Sequence, residues 1–313
     1  MGIGQRLDEW RALGIITDAQ HATLGAIVRR ERFSLFVELN ALLYVGVLSL
    51  AGGLAWTFRD YIDDLGDVSI LSILILLTAA AFGYCASKAT PYSNDEVESP
   101  SFAFDYVLYF GCLMFSSTLA FLETQFGVFH GWNTHVLIAS VVFAALAYRF
   151  DNRFVLSLAL SSLAGYLGLR FNLFDTIRGD LLRLFAAMYG ALLVGGGWLL
   201  YRARIKPHFF DVFLQLGVNA ILLATVSGVL EPGSGVWYLL ALLLLSGASI
   251  VLGVRHRRFA FVAYGTLYGY AGLSVKLLER LRSPTVGLAY VVVTGSLVVL
   301  ALVVVARRFG RDE

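Results

Sequence analysis

The residues best suited to chemistry sit at the ends of apolar stretches rather than inside them. Asp60, Asp63, Asp64 and Asp67 follow the first apolar run, and Glu123, His130 and His135 bracket a later connection. Carboxylates and imidazoles together can hold a divalent cation, but two ligands on one helix face need a spacing of four. His130 and His135 are five apart, so no metal site is assigned. No catalytic or cofactor motif is present, and no cofactor is expected. Asn219 is the one amide near the middle of an apolar run, while Tyr264 and Tyr268 share a helical face. These three could line a polar pocket; hydrogen bonding between helices is the plainer use.

Asp105 and Asp211 each fall in the first turn of an apolar run, where a carboxylate meets the positive end of the helix dipole and can cap free N–H groups. Ion pairing with the arginines of nearby hinges, Arg149 and Arg153 among them, is the alternative. Glu38, Glu123 and Lys276 lie toward run ends, from which long side chains reach the interface. An ion-coupled pump needs charge near mid-membrane, and these runs offer none. Cys85 and Cys112 read as small apolar side chains rather than a disulfide framework.

These residues are positioned by ten apolar runs, at roughly 36–58, 68–88, 104–123, 133–149, 154–170, 181–201, 209–230, 234–254, 259–279 and 285–306. Most have about the 20 residues that a helix needs to cross ~30 Å of hydrocarbon. With 58% hydrophobic and 15% charged residues and a mean hydropathy of +0.75, the 313-residue chain reads as an all-α polytopic transmembrane bundle. The net charge of +2 and the placement of arginines beside membrane ends argue against nucleic acid as a partner. Lys and Arg concentrate in the connections on the N-terminal side, which places both termini in the cytoplasm. All five prolines (91, 100, 207, 232, 284) fall in connections, so no run is broken by proline.

Residues 1–33 precede the first run and read as a cytoplasmic amphipathic helical hairpin. Leu7, Trp10 and Leu13 form one stripe, Gly14 can close the helix, and Thr17 with Gln20 makes a capping box for the next. A hairpin this small needs a surface to dock on: the bilayer, or a protein partner bound through residues 1–30. The run from Leu7 through Trp10, Gly14 and Ile16, followed by Ala19, resembles the start of a family of bacterial membrane proteins known as domain of unknown function 2157. The hinge arginines and Gly165-Tyr166-Leu167-Gly168 are similar to that family's later spans. The resemblance implies a multi-pass protein of the inner membrane and carries no assigned activity or functional residue.

The chain also matches itself. Phe104-Asp105, Leu108 and Gly111 recur as Phe210-Asp211, Leu214 and Gly217 at an offset of 106. Gly165-Tyr166 and Gly168-Leu169 recur as Gly269-Tyr270 and Gly272-Leu273 at 104, and the hinges before them correspond. The expectation is two parallel four-helix repeats, about 68–170 and 181–279, within a transmembrane domain of residues 34–313. The flanking spans lie at 36–58 and 285–306. Ser161 with Gly165, and Gly265 with Gly269, are small residues four apart and read as packing faces, which also assigns Gly168 and Gly272 to structure. Residues 92–101 read as a solvated cytoplasmic loop. The leading functional expectation is a non-catalytic scaffold or accessory subunit; the alternative is a transporter or lipid-handling protein with a pocket between the repeats and no ion coupling.

Overall fold

Apolar side chains cover the outside of this protein as well as its inside. In the computed structural model, Leu76, Val141, Leu192, Leu199, Leu244 and Val251 are all more than half exposed, on helices whose opposite sides are buried. A soluble bundle points such residues inward; a bilayer lets them face hydrocarbon. The structure describes residues 10–15, 17, 20–21, 49, 53, 66–129, 132–170, 180–231, 235–281 and 283–309. Most of the first span at 36–58, most of the N-terminal hairpin, and Asp60, Asp63, Asp64 and His130 lie outside them.

Nine long helices are described: α1 Asp67–Lys88, α2 Phe102–Phe126, α3 Trp132–Phe150, α4 Arg153–Arg170, α5 Asp180–Arg202, α6 Phe210–Val229, α7 Gly235–Arg255, α8 Phe259–Leu278 and α9 Pro284–Phe309. The described residues form an all-α bundle, and seven of these helices are long and apolar enough to span a membrane. The exceptions are α4, whose apolar part is shorter, and α8, whose hydropathy is lowered by Tyr264, Tyr268, Tyr270, several glycines and Lys276. The chain divides into two units, Met1–Gly46 with Ala289–Glu313, and Val47–Leu288.

In the smaller unit, Gly14 has φ 71° and the Ile15 N–H donates to Trp10 O at 2.9 Å, the left-handed helix ending. Thr17 and Gln20 exchange capping bonds: Thr17 N–H to Gln20 Oε1 at 2.9 Å, and Gln20 N–H to Thr17 Oγ1 at 3.2 Å. The part of α9 in this unit exposes Val292, Leu297, Leu300 and Val304.

In the larger unit, consecutive helices pack as antiparallel hairpins, α1 with α2, α3 with α4, α5 with α6, α7 with α8. Helix ends along the chain are set by legible chemistry. Ser101 caps α2 by accepting from Phe104 N–H, and Gly127 ends it at φ 59°. Asp151 ends α3 in the left-handed conformation at φ 55°, with Asn152 N–H returning to Ala147 O at 3.1 Å. Asn152 then caps α4, its Oδ1 accepting from Val155 N–H at 3.0 Å. Arg204 (φ 58°) and Arg257 (φ 54°) end α5 and α7 the same way, with Ile205 N–H to Leu200 O and Arg258 N–H to Gly253 O.

One core cluster fills α1 to α4 and takes in the next hairpin: Cys85, Phe104, Leu108, Cys112, Phe143, Ala147 and Leu156 with Leu193, Phe209 and Phe213. A smaller one joins Leu222, Val229 and Leu242 with Tyr238, Tyr264 and Tyr268. Lipid gives helices no hydrophobic reason to associate, so contact depends on close packing and hydrogen bonds between them. Gly190 of α5 and Gly217 of α6 supply the first: a Cβ on either would stand within 2.7 Å of the other's carbonyl oxygen. Ser140 Oγ donating to Ala159 O and Ser249 Oγ to Phe261 O supply the second, at 2.9 and 2.8 Å.

Candidate functional site

The connections 89–101, 151–152, 203–209 and 256–258 close the same end of the helix hairpins, and there the carboxylates of Asp105 and Asp211 are engaged. Neither caps its own helix. Asp105 accepts from Ser99 Oγ (2.8 Å) and Asn152 Nδ2 (2.9 Å), and Asn152 also reaches Tyr109 Oη at 3.1 Å. Asp211 pairs with Arg258. Ser101 takes the capping role in α2, and a 3-10 turn, Pro207–Phe209, leads into α6, which leaves both carboxylates for contacts between helices. The two arginines of the first hinge serve residues 89–101 instead: Arg149 Nη1 donates to Thr90 O at 3.0 Å, and Arg153 pairs with Glu96 at 2.6 Å.

Asp151 anchors the most buried ionic group described. Its side chain is 4% exposed and accepts from Val97 N–H at 2.6 Å, Lys206 Nζ lies at 3.2 Å with its side chain 1% exposed, and His208 Nε2 completes the set at 2.5 Å. The Lys206 ammonium also sits 4.9 Å from the Tyr92 ring centroid. Charged side chains go this deep only when paired. Residues 92–101 are exposed and at the same time tied down, by Tyr92, Glu96, Val97 and Ser99. Lys206 and His208 carried no sequence signal beyond lying in a short basic connection, and Asp151 was one hinge residue among several.

Deeper along the bundle an apolar groove of about 370 Å³ opens between α4 on one side and α5, α6 and α8 on the other. Asn219 and Tyr268 line it, with Ser161, Ala164, Gly165 and Gly168 along the α4 wall. Asn219 Nδ2 donates to Gln215 O at 2.8 Å, and among the described residues its oxygen has no protein donor. Tyr189, also on the wall, donates its hydroxyl to Leu160 O at 2.6 Å. Tyr264 is not part of the lining; its ring lies edge-on to Phe261, 6.1 Å away, within the second core cluster.

The matched small residues behave differently in their two settings. Gly265, Gly269 and Gly272 press onto α7, against Ser246, Ile250 and Leu242. Gly165 meets only Val136, at ordinary contact distance, and otherwise faces the groove. Among the described residues no three of His, Cys, Asp and Glu are placed to hold a metal ion. Glu123 accepts from Phe129 N–H at 2.9 Å, His135 is buried, and Cys85 and Cys112 are free thiols in the core. At the end opposite the hinges, Arg183 pairs with Glu231 at 2.9 Å and lies over the Tyr238 ring.

A family described as "Predicted membrane protein (DUF2157)" matches residues 8–156, from the N-terminal segment to the first turn of α4. Over that stretch the chain is similar to that family; the match ends before Gly165-Tyr166-Leu167-Gly168 and before the groove's lining. No curated protein and no solved structure matches the chain.

Proposed function

We propose that this multi-pass protein handles a lipophilic, uncharged molecule in the groove between α4 and α5, α6 and α8, without coupling to an ion. The observation that carries this reading is the convergence of Asn219 and Tyr268, from two helices, on a mostly apolar wall. A groove of this kind admits a hydrocarbon chain and offers a polar group at one point to orient it. No Asp, Glu, Lys, Arg or His is among the lining residues described. The scaffold reading rests on residues 1–30, most of which lie outside the described residues, and no described contact favours it.

The architecture we infer around the groove is a ten-span bundle of two four-helix repeats, α1–α4 and α5–α8, with one span before and α9 after. Three correspondences support the duplication. Asp105 bonds Asn152 and Asp211 bonds Arg258, each across 47 residues. Asp151 and Arg257, 106 apart, share the left-handed conformation, and the bonds from Asn152 N–H to Ala147 O and from Arg258 N–H to Gly253 O are likewise shifted by 106. The groove then lies between the repeats. Basic residues at the hinge end favour a cytoplasmic face there, in the bacterial inner membrane.

The test is native mass spectrometry of the full chain in mild detergent with dioleoylglycerol. A retained adduct is expected, lost when the exposed groove residue Ala164 becomes Trp and weakened about tenfold by Asn219→Leu. No adduct with the unaltered chain, or equal retention by Ala164→Trp, would overturn the reading.

A further inference from the structure

The polar groups of the groove between α4 and α5, α6 and α8 are gathered at one level of it. Ser161, Asn219 and Tyr268 stand eight or nine residues beyond Arg153, Phe210 and Phe259, where α4, α6 and α8 begin at the hinge end. At ~1.5 Å per residue that is about 12–14 Å into the bundle, close to the middle of a hydrocarbon core ~30 Å thick. On the hinge side the lining stops at Leu160, Tyr189 and Leu216. Tyr189 Oη donates to Leu160 O at 2.6 Å, and all three belong to or pack on the first core cluster, which closes the groove there. Toward the opposite end the wall is apolar: Ala164, Leu167 and Gly168 of α4, Leu182 and Phe185 of α5, and Leu223 of α6.

Two of these groups keep bonding capacity for a guest. Asn219 spends one amide proton on Gln215 O at 2.8 Å, and among the described residues nothing donates to its Oδ1. The Tyr268 hydroxyl likewise has no hydrogen-bond partner among the described residues. An amide oxygen only accepts, whereas a phenolic hydroxyl both donates and accepts. One hydroxyl on a guest answers both, giving its proton to Asn219 Oδ1 and accepting from Tyr268 Oη. A ketone, ester or ether has no proton to give and leaves the Asn219 oxygen unmatched away from water. A phosphate or choline headgroup has no place at this depth, because no Asp, Glu, Lys, Arg or His is among the described lining residues to compensate it.

We infer, resting on the lipophilic-groove reading above, that the guest is a lipid alcohol. Its hydroxyl is held near the middle of the membrane by Asn219 and Tyr268, and its hydrocarbon runs along α4 and α5 away from the hinges. Such a guest lies inverted relative to a membrane phospholipid, whose polar group stays at the surface. Because the groove is closed on the hinge side, the guest exchanges with the leaflet opposite the hinges.

The full chain in mild detergent is titrated with dioleoylglycerol and, separately, with its methyl ether, the same lipid with the free hydroxyl capped, and scored by native mass spectrometry. Retention of the ether should be weaker by about tenfold or more. Asn219→Leu and Tyr268→Phe should each shrink that difference by weakening the alcohol while leaving the ether unchanged. Tyr268→Phe removes a single oxygen atom and keeps the measurement available should Asn219→Leu not elute as a monodisperse species. A diazirine early in one acyl chain, close to the glycerol, should label α6 and α8 around Asn219 and Tyr268. Labelling confined to the ends of α4 and α5 remote from the hinges overturns the inverted pose. No retention of dioleoylglycerol sinks the groove reading and this inference with it. Equal retention of alcohol and ether, or equal weakening of both by the two variants, leaves the groove reading standing and overturns the inference.

Discussion

Replacing Asp151 with Asn tests whether the buried ionic group holds the hinge end together. The substitution keeps the side chain's shape, and Asn adopts the φ of 55° as readily as Asp, so backbone strain does not enter. What is lost is charge. At the observed 3.2 Å, attraction between unit charges is about 5 kcal/mol at an effective dielectric of ~20. Lys206 would be left with its ammonium almost wholly enclosed, and the Tyr92 face restores only about 0.5–2 kcal/mol. Breaking one side of a buried pair costs about 3–5 kcal/mol. By the scaling of soluble domains of 150–250 residues, ~2–4 °C per kcal/mol, the melting temperature in detergent should fall by about 6–20 °C. Adding Lys206→Met should recover most of the loss, because removing both charges is close to neutral. Melting of Asp151→Asn within about 2 °C of the unaltered chain, or no recovery in the double variant, would refute the reasoning.

Three further outcomes follow from the packing. Gly190→Ala places a methyl group against Gly217 O and should cost about 1–3 kcal/mol in the same melting assay, whereas Gly195→Ala and Gly196→Ala enter open space and should be neutral or stabilise by up to about 1 kcal/mol. Cys85 and Cys112, 0% and 1% exposed, should resist maleimide labelling in the folded protein and react within minutes after denaturation in SDS. Glu96→Gln removes a pair whose side chains are 47% and 61% exposed; the loss should stay below about 1 kcal/mol and shrink further as salt is raised.

How much of this was written in the sequence depends on the kind of signal. Helix positions followed from apolar length, because a bilayer imposes one span on every crossing. Asp105, Asp211 and the hinges were marked by their recurrence, yet recurrence said nothing of partners: one carboxylate took an amide, the other a guanidinium. Asn219 and Tyr268 drew attention as polar groups in apolar helices and do face one groove, while Tyr264, four residues from Tyr268 on the same face, turned into a core. A helical face is wide enough to touch a cavity with one residue and a neighbour with the next. Gly165 and Gly269 are indistinguishable by local pattern, and only the presence of α7 against one of them sets their roles apart. Lys206 and His208 were invisible for a related reason. A basic residue in a short connection ordinarily points at water, and its burial here depends on Asp151 arriving from a hinge more than fifty residues earlier.

The left-handed hinges also bear on how the chain enters the membrane. Two residues separate α3 from α4, and three separate α7 from α8. Links so short leave no slack for one helix to cross the bilayer while its partner waits in water, so each pair should leave the insertion machinery as a unit. The arginines of those turns would then act before folding is complete. If both helices of a pair cross the bilayer, these arginines, by resisting passage through it during synthesis, would set the orientation of the two at once, and the same side chains afterwards hold the hinge end.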